Sequence, residues 1–129
     1  MTMLAHRTPD AAYRRVDFDA RVTGADPMEL VGLCYEHLVA ALGSALFAHE
    51  RKDNAAKSAA LTRAVSALTA LQLGVKGTEG VAAALLQFYG AAKSALLDSV
   101  LAFDPVRIRE VRADILEIAS ALHGAKTPS

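Results

Sequence analysis

Two side chains suited to chemistry, Cys34 and His37, lie three positions apart, a spacing that brings a thiolate and an imidazole to one helix face as metal ligands. Two ligands are too few for a structural metal, and Cys34 is the only cysteine in the chain. It therefore reads as a small core residue, with no disulfide and no metal expected, and it fits a reducing compartment. Glu110, Asp114 and Glu117 form an acidic row at helical spacing, with Arg107, Arg109 and Arg112 beside them. Such a row is ordinarily a solvated face, worth a few tenths of a kcal/mol per ion pair. Tyr35 and Tyr89 stand in apolar helical contexts and read as core or rim residues whose hydroxyls reach water. The chain holds no Ser-His-Asp set, Gly-rich phosphate loop or Glu-x-x-His pair. The pattern predicts neither catalysis nor a cofactor.

His49 with Lys52 three residues on matches the His-x-x-Lys of phosphotransfer four-helix bundles, which gives an alternative reading as a phosphotransfer-like bundle using His49. Those proteins place the histidine exposed in mid-helix, followed by glycine. Here Asp53 follows and the helix is ending, so a solvated helix end is the plainer reading.

Four helices must position these residues. Asp26-Pro27 opens the first, the aspartate as cap and the proline at the first helical position, with Glu29 closing a capping box. Leu30, Val31, Cys34, Leu38, Leu42 and Leu46 then recur at three- and four-residue steps, predicting a helix to about Lys52. The polar run Glu50 to Asn54 marks a turn, and Asp53 or Asn54 caps a second helix from Ala55 to Leu73, striped with Leu61, Val65, Leu68 and Gln72 or Leu73. Gly74 is placed as its left-handed terminator and Thr78 as the next cap. The third helix, Glu79 to Phe103, is apolar over a wide arc: Val81, Leu85, Phe88, Ala92 and Leu96 on one row, with Leu86, Tyr89, Leu97, Val100 and Leu101 around it. Gly80 and Gly90 weaken it by up to about 1 kcal/mol each, which close backbone packing would offset. Asp104-Pro105 repeats the cap-plus-proline start, and Ile108, Val111, Ile115, Ile118 and Leu122 carry a fourth helix to His123, ended by Gly124. Helices of this length joined by short turns predict an all-α, antiparallel up-and-down four-helix bundle over 26–124. Residues 1–25 are expected to form a flexible N-terminal arm or cap, and 125–129 a disordered tail.

Hydrophobic residues make up 53% of the chain, against about 45–50% in a typical domain, and much of the excess is alanine, which suits close-packed helices. The 14 basic and 14 acidic residues cancel, and no basic face argues for nucleic acid. Met1 to Asp10 has no apolar core, so no signal peptide is expected. No run approaches the roughly 18 apolar residues of a membrane span, and a cytoplasmic location is expected, as a monomer or weak homodimer.

The Asp26-Pro27 start followed by Leu30-Val31-x-x-Cys34-Tyr35-Glu36-x-Leu38 resembles the flagellar export chaperone FliS family. The likeness continues in order through Ala12-Tyr13 with Val16, the Asp53 to Leu71 helix, Gly80-Val81-Ala82 through Leu86-x-Phe88-Tyr89, and Asp104 through Leu122. It covers Ala12 to Gly124. No single motif is diagnostic; the order of all five carries the resemblance.

The resemblance implies a cytoplasmic chaperone that binds the disordered C-terminal segment of flagellin in hydrophobic helix grooves, prevents premature polymerisation and assists delivery to the export gate. Flagellar regulators are further partners it admits. A bundle with more apolar helix surface than it can bury agrees in kind. Tyr13 and Val16, isolated in a charged arm, suit a displaceable lid: burying Tyr13 gains about 1.5–3 kcal/mol, offset by ordering several residues at about 1–2 kcal/mol each. The residues assigned to lid and groove are Tyr13, Val16, Leu30, Tyr35, Leu86, Tyr89 and Leu97.

Overall fold

The structure, a computed structural model, describes residues 27–126, with side chains over 29–122. It is an antiparallel up-and-down four-helix bundle: α1 (Pro27–Glu50), α2 (Asn54–Gly74), α3 (Val81–Leu101) and α4 (Pro105–Lys126). No strand occurs among the described residues. The chain divides into two compact units, Met1–Leu33 and Cys34–Ser129. Of the first, the opening turns of α1 are described; the arm, Asp26 as a cap, and Tyr13 and Val16 lie outside the described residues.

Local chemistry sets each helix end. The chain leaves α1 through a six-residue reversal in which Asp53 N–H donates to the Ala48 carbonyl at 2.9 Å and Lys52 N–H to the His49 carbonyl at 3.1 Å. Lys52 sits at φ +59, the left-handed position that such C-terminal motifs usually give to glycine. Asp53 then caps α2, its carboxylate accepting from the Ala56 amide at 3.1 Å. Asp104 caps α4 in the same way, accepting from Arg107 N–H at 3.2 Å, with Pro105 at the first helical position.

Three predicted boundaries move. Gly74 is the last helical residue of α2, not a left-handed terminator, and extended Val75 follows it. Thr78 does not cap α3. Gly80 does, at φ 60 and ψ −128 and without a side-chain bond, in a conformation that essentially glycine alone adopts. Gly80 thus lies outside the helix it was expected to weaken. Helix α4 continues through Gly124 to Lys126, since one glycine costs about 1 kcal/mol and does not by itself end a helix.

The core of the second unit is built on Leu38, Leu42, Leu61, Leu68, Leu96, Ile108 and Ile115, all fully buried. Alanines fill the space between helices: Ala41, Ala45 and Ala48 of α1, Ala60, Ala64 and Ala67 of α2, Ala92 and Ala95 of α3. The buried stripe of α1 is therefore turned from the expected one, and Cys34 and Leu46 are only half-buried. Small side chains let backbones approach, so the alanine face turns inward. Glu29–Glu50, with mean hydropathy 1.6, is long and apolar enough to cross a membrane by length and composition alone, contrary to the expectation that no stretch would be. Leu38, Ala41, Leu42 and Ala45 of this helix are buried in the core, while 33% of the apolar window as a whole is buried.

Candidate partner-binding surface

Helix α3 has two apolar sides. At 100° per residue, Tyr89, Ala92, Leu96 and Ser99 form one side, and all are buried. Leu86, Gly90, Leu97 and Leu101, spaced by four, seven and four, fall on the adjoining flank, roughly a third of a turn round. Leu86 and Gly90 are half-buried, while Leu97 is 50% exposed, Val100 beside it 56% and Leu101 91%. Surface leucines occur singly on most proteins, and here Leu97, Val100 and Leu101 are exposed together on one stretch of helix. Burying each such side chain is worth about 1.5–3 kcal/mol.

The track ends in a hollow of about 280 Å³ between the start of α2 and the end of α3. Leu61, Val100, Leu101 and Phe103 give it an apolar side; Asn54, Lys57, Ser58 and Ser99 give it polar groups. Phe103 meets two neighbouring groups there. The His49 ring stacks on it at 4.4 Å between centroids, and the Lys57 ammonium lies 4.9 Å from its ring centre, a cation–π distance. Lys57 Nζ is also 3.2 Å from His49 Nδ1. His49 is half-buried in the last turn of α1.

The sequence-derived residues separate on folding. Tyr35 and Tyr89 are buried, and their hydroxyls hydrogen-bond each other rather than reaching water. Burial raises the pKa of both phenols; at Tyr35 the bond to Tyr89 raises it further, and at Tyr89 the bond from Tyr35 opposes part of the effect. Leu30 is half-buried in the first unit. Leu86 and Leu97 share the outer face of α3. Lys57 and Phe103 were not singled out from sequence, because their meeting depends on how the α1–α2 and α3–α4 turns come together.

The remaining chemical groups serve structure. Burial pushes the Cys34 thiol above its ordinary range, which suppresses the reactive thiolate. Burial, then the Arg63 charge, holds His37 below the ordinary 6.5. Among the described residues no three His, Cys, Asp or Glu converge on a metal position. Arg107 pairs with Glu110 at 3.7 Å, as the charged row suggested. Arg112 instead turns inward and donates from Nε to the Val39 carbonyl of α1 at 3.2 Å.

The family model for flagellar protein FliS matches residues 9–128. No curated protein matches the chain.

Proposed function

The chain belongs to the flagellar protein FliS family, and on that premise we propose that this flagellar export chaperone receives the C-terminal segment of flagellin on the outer face of α3. The observation that carries this reading is the aligned exposure of Leu97, Val100 and Leu101 on a helix whose other side already fills the core. An amphipathic segment laid along that track covers it by the helix-in-groove mode. Covered in this way, the segment is withheld from filament contacts until the export gate takes it. The reading is of a cytoplasmic binding protein without catalysis, in which bundle 26–124 does the binding. Residues 1–25 act as a lid through Tyr13 and Val16, displaced by the longer apolar ligand.

Calorimetry with the organism's own flagellin, intact and trimmed at its C-terminus, tests the proposal. A one-to-one complex with negative heat-capacity change for the intact protein alone supports it. Equal binding of the trimmed protein, or no complex, overturns it.

A further inference from the structure

We propose that the hollow at the end of the α3 track captures the chain-terminal carboxylate of the bound segment, with Lys57 as its counter-charge. The site rests on the flagellin-binding reading and adds to it a polarity and an end point. Lys57 is half-buried, and among the described residues its ammonium meets His49 Nδ1 and the face of Phe103, with no carboxylate. An ammonium has three donors, so one bond to His49 leaves two more, on a side chain that lines the hollow. Asp53, the acidic residue nearest in sequence, already accepts from the Ala56 amide. A partly desolvated cation in this position is completed by an anion, and a charge-assisted bond to carboxylate is the strong form of that contact.

The hollow's lining favours a chain end over an acidic side chain. Its apolar wall of Leu61, Val100 and Leu101 and its cationic wall at Lys57 face one space of about 280 Å³. A terminal residue carries both matching groups on a single Cα: a side chain for the apolar wall and a carboxylate for Lys57 and the Ser58 hydroxyl. The position agrees, because Val100 and Leu101 at the end of the track line the hollow.

The experiment compares two synthetic peptides of the flagellin C-terminal segment, one with a free carboxylate and one with a C-terminal amide, binding to the full chain. The free acid is expected to bind about five- to ten-fold more tightly, the range of one charge-assisted hydrogen bond at a partly exposed site. Lys57→Gln should abolish that difference between acid and amide, and Lys57→Arg should restore much of it. Equal affinity of acid and amide for the unmodified protein overturns the site, as does a difference that persists in Lys57→Gln. A third peptide, with free carboxylate but its Asp and Glu changed to Asn and Gln, separates the sources. If it alone loses the Lys57 dependence, side chains fill the hollow and the proposal is wrong. Failure of every peptide to bind overturns the flagellin reading together with the site.

Discussion

The hydroxyls of Tyr35 in α1 and Tyr89 in α3 hydrogen-bond each other inside the core, their rings tilted at 55° with centroids 6.3 Å apart. Each phenol is the other's polar partner, at positions 3% and 2% exposed. The pair therefore behaves as one unit. Tyr35→Phe strands the Tyr89 hydroxyl, at a cost of about 1–3 kcal/mol, whereas removing both hydroxyls leaves nothing unsatisfied. Urea unfolding should place Tyr35→Phe and Tyr89→Phe both below the double variant. Simple additivity of the two losses would show that the hydroxyls do not depend on each other.

Lys52 holds a left-handed conformation at φ +59 where a β-carbon is penalised. Both amide bonds of the reversal leading to Asp53 need that geometry. Lys52→Gly should raise unfolding stability by about 0.5–1 kcal/mol, since the relief of strain exceeds the entropy glycine adds to the unfolded chain. A loss of stability would mean that the lysine side chain supplies more than its backbone costs.

His37 gives the bundle an acid sensitivity. Its folded pKa lies below the ordinary 6.5 because burial, then the Arg63 charge, disfavours the imidazolium. Between the folded pKa and 6.5 the unfolded chain binds more protons, so stability rises with pH through that window and levels off above it. Lowering the pH below 6.5 should therefore reduce the urea midpoint, and His37→Gln should flatten part of that slope. An unchanged slope in the variant would assign the acid sensitivity to other groups.

The helix starts at Asp53 and Asp104 were legible because capping is local: a carboxylate, the amide three residues on and a short turn suffice. The stripe Ile108, Val111 and Ile115 was legible because large side chains of one kind recur on one face. The α1 core face was not, because Ala41, Ala45 and Ala48 decide it, and alanine is too small to dominate a periodicity. Gly80 displaced Thr78 as a cap because the Val75–Gly80 connection needs two positive-φ glycines, Gly77 and Gly80, which pushes the helix start two residues on. At the candidate site, the wide apolar arc of α3 was readable from spacing. The hollow was not, since Lys57 and Phe103 meet only in three dimensions.

Gly90 lies in the half-buried part of the track, and a β-carbon there would find only Gln72 Nε2, at 4.0 Å. Close backbone packing, the expected compensation, is absent. Gly90→Ala should therefore stabilise α3 by about 0.5–1 kcal/mol. Under the proposed function it should also weaken flagellin binding, because the added methyl stands on the track between Leu86 and Leu97 in sequence. Thermal unfolding and calorimetry on the same variant separate the two effects. Higher stability with unchanged affinity would remove Gly90 from the contact.

Leu101 gives the sharpest test of the track. At 91% exposure it contributes little to folding, so Leu101→Asp should stay within about 0.5 kcal/mol of the unmodified stability. Losing one leucine's burial in the complex, about 1.5–3 kcal/mol, should weaken flagellin binding by about ten-fold or more. Leu97→Asp should act in the same direction. Leu73, 82% exposed at the far end of α2, is the control, because it is equally apolar but lies off the track. A comparable loss in Leu73→Asp would mean that general surface hydrophobicity, and not the α3 face, draws the partner in.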